Sequence, residues 1–131
     1  ASANTAYLYK ISAEDGSNAD LGWSNVDLAT TIIFTDATIT VGTTVIKEAH
    51  VTELRSAVDA VRTSAGLPAA TWTNSSLSGA WIKAVDILEL RTKLGDAINA
   101  LSLTSANYTD SSLTGVTVKK AHIEELRQRV K

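Results

Sequence analysis

Residues 50–55 read His-Val-Thr-Glu-Leu-Arg, and His50 and Glu53 are the side chains in this stretch that could do chemistry. Side chains three positions apart lie on one face of a helix. An imidazole and a carboxylate placed in this way can ligate a metal ion, as in di-metal helix bundles, or share a proton. The same pair recurs at His122 and Glu125. Metal binding and acid–base catalysis are therefore the two chemistries to weigh.

Several features of the sequence weigh against metal binding, against catalysis, or against both. Asp86 occupies the corresponding position in a middle copy of the motif, and two histidines in 131 residues make a poor ligand set for zinc. No nucleophile or second base accompanies either histidine. The motif also recurs at a fixed period, whereas one active site needs its residues once. We therefore expect a protein that is not an enzyme, with no catalytic residue, no metal and no cofactor. His50, Asp86 and His122 are interpreted as hydrogen-bonding partners of the neighbouring linker.

The motif belongs to an internal repeat. Three segments align, namely "VIKEAHVTELRSAVDAV" from Val45, "WIKAVDILELRTKLGDA" from Trp81 and "TVKKAHIEELRQRVK" from Thr117. A second block keeps the same 36-residue register, with "WTNSSLSG" at 72–79 matching "YTDSSLTG" at 108–115 and a looser copy at 34–42. The first copy has two extra residues between its aromatic residue and its helix. A fixed period of this size is typical of stacked structural units.

The spacing of apolar residues predicts a helix in each copy, over about 46–65, over about 82–101, and from near residue 118 onward. Thr44 and Thr117 are predicted N-caps. Residues 5–12 and 30–42 are rich in β-branched and aromatic residues and are predicted to be extended, with a turn-rich loop between them.

These elements predict a mainly α fold, in which about three loop–helix repeats pack together after an extended, β-prone N-terminal segment. The predicted organisation is an arm at 1–33, a first repeat at 34–71, a second at 72–107 and a truncated third at 108–131. All four parts are expected to form one folding unit.

The pattern I-K-[AEK]-x-[HD]-[VI]-x-E-L-R, with a linker such as "GLPAATWTN", resembles a tandem module of large secreted bacterial proteins. In that module I-K-A-x-H-I-x-E-L-R occurs in multiples, with W-T-D-x-x-L in the linker. The resemblance covers residues 34–131 and implies an extracellular, non-enzymatic module with no assigned activity, cofactor or binding residue. Asp86 departs from the usual histidine, and residues 1–33 have no counterpart.

The residues common to the three copies are predicted to hold the units together. Glutamate and arginine flank a leucine in each copy, and because they lie two positions apart they point to different faces of the helix. Each arginine is therefore expected to reach the glutamate of a neighbouring unit or a linker carbonyl. One aromatic residue per unit is expected to anchor the linker against a helix, although stacking on a ligand is the alternative. These predicted inter-unit residues are Glu53, Arg55, Glu89, Arg91, Glu125, Arg127, Leu54, Leu90, Leu126, Phe34, Trp72 and Tyr108.

Composition excludes some partners and favours one setting. A net charge of −2 provides no basic field for nucleic acid, and no apolar run reaches the roughly 18–20 residues of a membrane span. The chain lacks Cys and Met and begins at Ala1 without an initiator Met, as expected of an exported protein after signal-peptide cleavage, although a shortened chain would look the same. We therefore predict a secreted protein, extracellular or at the cell surface.

The truncated third repeat and the unmatched N-terminal segment lead to a prediction of function. Helical repeats bury their faces against neighbours, and open ends require a cover. An arm of one subunit could complete the next, giving a head-to-tail contact that propagates into a filament when it does not close. The chain is therefore predicted to be a structural subunit that forms a homo-oligomer or polymer through its arm and open repeat ends. The alternative is a cell-surface or glycan-binding adhesion module that uses Trp23, Trp81 and the linker aromatic residues.

Overall fold

The structure, a computed structural model, describes all 131 residues. Four strands precede three helices: β1 (Ala6–Tyr9), β2 (Ser12–Glu14), β3 (Asp20–Trp23), β4 (Asp27–Thr30), α1 (Glu48–Ser64), α2 (Ala84–Ala100) and α3 (Lys120–Arg129). β1 pairs antiparallel with β4, and β2 pairs antiparallel with β3, so the chain forms two small sheets. The segments that join the helices have no regular secondary structure.

The prediction of a mainly α fold built from three packed loop–helix repeats is wrong. Helices hold only 34% of the chain, and four strands lie beside them. In each 36-residue period the helical pattern spans 17 residues or fewer, and the remainder is rich in Ser, Thr and Gly, which favour turns. The fold therefore combines three helices with two antiparallel sheets.

All three helices begin about two residues later than predicted, and Thr44 and Thr117 are not the N-caps. The N-cap residues are Lys47, Lys83 and Lys119, each with extended backbone dihedral angles. α1 ends as predicted, since Gly66 adopts a φ of +71° and Leu67 donates its N–H to the carbonyl of Arg62.

The core lies between the three helices and the connecting segments. The leucine of each Glu-Leu-Arg motif is completely buried, at Leu54, Leu90 and Leu126. Ile39, Leu77 and Leu113 reach the same core from the connections. Burying a leucine side chain contributes about 1.5–3 kcal/mol, so these positions fix the connections on the helices.

The first 30 residues form an interrupted hairpin that is anchored at one end only. Thr30 donates its N–H and its hydroxyl to the carbonyl of Val130, at 2.8 and 2.6 Å. Ser64 donates its hydroxyl to the carbonyl of Ala6 at 3.1 Å. α1 packs against β1 and β4, whereas β2 and β3 pack chiefly against each other. The base of the hairpin is therefore fixed at the C-terminal ends of α1 and α3, and its distal part lies beyond the core.

The three helices are 17, 17 and 10 residues long. None of them is long and apolar enough to cross a membrane.

Candidate functional site

His50 serves as a cap at the start of α1. The backbone N–H of Lys47 donates to Nδ1 of His50 at 3.1 Å, and Nε2 of His50 lies 3.0 Å from Oδ2 of Asp36. Because Nδ1 accepts a hydrogen bond, the ring proton is on Nε2, which donates to Asp36. The imidazole is completely buried and both its nitrogens are occupied.

His122 makes the same contacts at the start of α3. Its Nδ1 accepts the backbone N–H of Lys119 at 3.2 Å, and its Nε2 lies 3.0 Å from Oδ2 of Asp110. Asp36 and Asp110 both adopt positive φ, near +50°, a conformation that aspartate tolerates better than most residues. Each histidine therefore ties the start of its helix to the turn before it.

Asp86 caps the start of α2 in the same way, but its partner in the preceding turn is an asparagine instead of an aspartate. Its Oδ2 accepts the backbone N–H of Lys83 at 2.8 Å, and its Oδ1 accepts the amide of Asn74 at 3.0 Å. Nη2 of Arg55 lies 3.3 Å from the same Oδ1 and supplies the opposite charge that a buried carboxylate needs. A His–Asp pair is thus replaced by an Asp–Asn pair, and the capping bond is kept.

A lysine strengthens both His–Asp pairs. Nζ of Lys47 lies 2.9 Å from Oδ2 of Asp36, and Nζ of Lys119 lies 2.9 Å from Oδ2 of Asp110. These lysine hydrogen bonds, followed by those of the histidines, hold the pKa of Asp36 and of Asp110 below the ordinary value of 3.8. Both carboxylates are therefore ionised down to a lower pH than an unpaired aspartate.

The glutamates bind the turn that precedes their own helix. The carboxylates of Glu53, Glu89 and Glu125 accept the backbone N–H groups of Thr35, Thr73 and Thr109 at 2.9, 3.1 and 3.0 Å. Glu89 also accepts a short hydrogen bond from the hydroxyl of Thr73. Each helix is therefore joined to its own turn by a capping residue and a glutamate.

The arginines bind the turn that belongs to another helix. The guanidinium of Arg55 donates to the carbonyl of Asn74 at 2.8 Å, and that of Arg91 donates to the carbonyls of Thr109 and Asp110, both at 2.9 Å. Arg91 also lies 3.5 Å from a carboxylate oxygen of Glu125. Both side chains are more than nine-tenths buried, so they carry their charge into the interior.

Arg127, on the last helix, binds the first turn, which precedes α1. It donates to the carbonyls of Thr35 and Asp36, each at 2.8 Å, across more than 90 residues of chain. Its guanidinium lies 3.8 Å from carboxylate oxygens of Glu53 and Glu124. The turn of α1 is therefore bound by the last helix, and the three arginine–turn contacts form a closed ring within one chain.

The aromatic residues lie under these arginines. The guanidinium carbons of Arg55, Arg91 and Arg127 lie 4.8, 4.5 and 4.8 Å from the ring centroids of Trp72, Tyr108 and Phe34, respectively. Cation–π contacts of this kind contribute about 0.5–2 kcal/mol. Burial raises the pKa of the Tyr108 hydroxyl above its ordinary value of 10.0. Each ring therefore packs between its turn and the arginine of another helix.

The hydrogen bonds of these clusters occupy the side chains that were considered for metal binding and catalysis. The two imidazoles have no free nitrogen, and no group of three or more His, Asp or Glu side chains lies together in a metal-binding arrangement. The expectations of no enzymatic activity and no cofactor stay predictions. What the clusters do in the structure is hold irregular turns against helices.

The sequence reasoning missed a surface on the distal hairpin. Residues 13–22 are predicted to be a turn-rich loop; in the structure residues 15–19 form a turn, whereas residues 13–14 and 20–22 belong to β2 and β3. Asp15 orders the turn between these strands, since its carboxylate accepts the N–H groups of Ser17 and Ala19 and the hydroxyl of Ser17, which lower its pKa. An Asp-Gly turn between apolar residues is a hairpin signal that could have revealed it.

Large apolar side chains are exposed on this distal hairpin. Ile11, Leu21 and Trp23 are 68%, 66% and 57% exposed, and Nζ of Lys10 lies 4.4 Å from the ring centroid of Trp23. Trp81, outside the hairpin, is 89% exposed.

Comparison with known proteins identifies no relative, because no family model, curated protein or solved structure matches this chain.

Proposed function

We propose that the protein is a structural subunit of an extracellular assembly and associates with copies of itself through its N-terminal hairpin. The observation that supports this most directly is the exposure of Ile11, Leu21 and Trp23 on a part of the chain that the core does not cover. Leu21 and Trp23 lie two positions apart on β3, and exposed apolar side chains that are grouped together are a feature of interaction sites in folded proteins.

The low stability expected of the isolated distal hairpin supports the same proposal. A two-stranded hairpin with no third strand or helix on it is marginally stable in water. β2 and β3 are three and four residues long, and all but one of their residues are exposed. Contact with another chain would supply the apolar burial that the distal strands lack.

The contact made by Arg127 supports association through the hairpin rather than through open repeat ends. The two ends of the repeated sequence meet within one chain, because Arg127 binds the turn at Thr35 and Asp36. A contact between open repeat ends is therefore not needed to complete the core. The hairpin remains as the segment that a second copy could cover.

The extracellular setting is part of the proposal. It is supported by the resemblance of residues 34–131 to a module of secreted bacterial proteins. The absence of Cys and Met also suits a protein exposed to oxidants.

Size-exclusion chromatography with light scattering, over a series of concentrations, tests the proposal. We expect the mass of the wild-type particle to rise with concentration and the Leu21→Ser/Trp23→Ser variant to remain a monomer. Trp81→Ser is the control, since it removes a still more exposed ring outside the hairpin and should not change the mass. A wild-type protein that is monomeric at every concentration contradicts the proposal.

Trp81 supports a second candidate function, glycan binding at a cell surface. An indole that is 89% exposed is available to stack on a sugar ring. A glycan array probed with wild-type protein and with Trp81→Ala distinguishes the two candidates. Binding that depends on Trp81 favours the adhesion module, and no binding by the wild type rejects it.

A further inference from the structure

A groove lies on the surface where the segment before α1 meets the start of α3. It has a volume of about 590 Å³, and its lining includes Val41, Ile46, Val118 and Lys120. A corresponding cleft between the start of α2 and residues 111–114 has a volume of about 370 Å³. The groove beside α3 is therefore the larger of two related depressions.

The two extra residues of the first copy account for this difference. Phe34 is followed by Ile46 after twelve positions, whereas Trp72 is followed by Ile82 after ten. The longer segment folds into a turn in which Thr44 donates its N–H to the carbonyl of Thr40 and its hydroxyl accepts the N–H of Thr40. This turn forms one wall of the groove and leaves Val41 79% exposed.

The charges of the groove and of the distal hairpin are complementary. Residues 10–24 of the hairpin carry three acidic residues, Glu14, Asp15 and Asp20, and one base, Lys10, which lies over Trp23. Of the charged residues that line the groove, Lys119 is paired with Asp110 and Glu124 lies 3.8 Å from Arg127, so the positive charge that the groove offers to a partner is that of Lys120. The acidic, apolar hairpin is therefore complementary to an apolar groove that carries one unpaired lysine.

The positions of the two surfaces assign the contact to a second copy. The hairpin is anchored at the C-terminal end of α3 through Thr30 and Val130, whereas the groove lies at the N-terminal end of the same helix. Ten helical residues separate these ends by about 15 Å. A contact between two different surfaces on one subunit is head-to-tail, and it forms a ring or an open filament.

We infer that residues 10–24 of one copy dock into the groove between residues 40–46 and the start of α3 of the next copy. This inference rests on the proposed self-association and names the surface that receives the hairpin. Leu21 and Trp23 fill the apolar part of the groove, and the acidic residues at the tip face Lys120.

A complementation experiment tests the inference with two variants, one that disrupts the hairpin and one that disrupts the groove. The hairpin variant is Leu21→Ser/Trp23→Ser, and the groove variant is Val41→Ser/Lys120→Glu. Glutamate in the first turn of a helix is favourable, so the groove variant should fold. Circular dichroism and thermal unfolding verify folding, and Lys83→Glu, at the start of α2, is the control for charge reversal.

Sedimentation velocity is then measured on each variant alone and on an equimolar mixture. We expect each variant alone to self-associate at least roughly tenfold more weakly than wild type, and Lys83→Glu to associate normally. The mixture should form a dimer and nothing larger, since it retains one intact hairpin and one intact groove per pair. A groove variant that associates like wild type overturns the inference but leaves the proposed self-association standing. Absence of the mixed dimer, with both variants folded and monomeric, also overturns it. A monomeric wild type contradicts both proposals.

Discussion

Arg127 donates a hydrogen bond from Nη1 to the carbonyl oxygen of Asp36 at 2.8 Å, and this contact joins the last helix to the first turn. The two residues are 91 positions apart in the sequence. The contact completes a series in which Arg55 binds the second turn and Arg91 the third. Each of the three arginines therefore binds one irregular turn, and the last of these contacts joins α3 to the turn before α1.

Replacing Arg127 should destabilise the protein strongly. Its side chain is completely buried, and removing one partner of a buried ionic contact costs roughly 3–5 kcal/mol. Urea unfolding of Arg127→Leu measures this loss of unfolding free energy. Arg129→Leu is the control on the same helix, because Arg129 makes an exposed hydrogen bond to Thr104 and should cost about 1 kcal/mol or less. Equal losses for the two variants would contradict a structural role for the buried contact.

The capping pairs should be exchangeable as pairs but not singly. His50→Asp places a second carboxylate against Asp36 and should destabilise the fold through repulsion. Adding Asp36→Asn reproduces the Asp86–Asn74 arrangement found at α2 and should recover part of the loss. A double-mutant cycle by urea unfolding should give a favourable coupling of roughly 0.5–3 kcal/mol. Strictly additive effects would show that the two side chains do not act as a pair.

The stability of the protein should fall in acid partly because of Asp36 and Asp110. Both pKa values are lowered in the folded state, so the unfolded chain takes up these protons first, near 3.8. Their stabilising contribution is complete above roughly pH 5 and is lost as the pH falls through the folded pKa. Urea unfolding from pH 6 to 2.5 should give a smaller acid loss for Asp36→Asn than for wild type. Asp36→Asn/Asp110→Asn should reduce the loss further, and identical pH profiles for the three proteins would contradict this explanation.

The helices and their contacts differ in how far the sequence could predict them. The spacing of the apolar residues predicted the ends of α1 and α2 to within about two residues, because a helix is the structure that places residues with this spacing on one buried face. The 36-residue spacing also indicated which residues recur, and Leu54, Leu90 and Leu126 are buried. It could not show that Arg127 turns back to Thr35, because a repeat in sequence leaves its ends open until the three-dimensional path is known.

The N-terminal region could be predicted less well. Its composition favoured extended structure. However, Leu21 and other residues that were predicted to lie in a loop belong to a hairpin, and the pairing of its two strands has a register shift. Local propensity does not fix strand register, which depends on which side chains a neighbouring surface covers. Since the distal hairpin has no such cover within the chain, its pairing and its exposed apolar residues became apparent only in the structure.

Hydrogen–deuterium exchange as a function of protein concentration tests the central claim, that the distal hairpin is the surface of self-association. The account predicts that the backbone amides of β2 and β3 exchange rapidly in dilute solution and more slowly as the concentration rises. The amides of α1 serve as the internal control, because they lie in the core and should exchange at the same rate throughout. Exchange of β2 and β3 that is independent of concentration, in samples shown by sedimentation to be associated, would contradict the account.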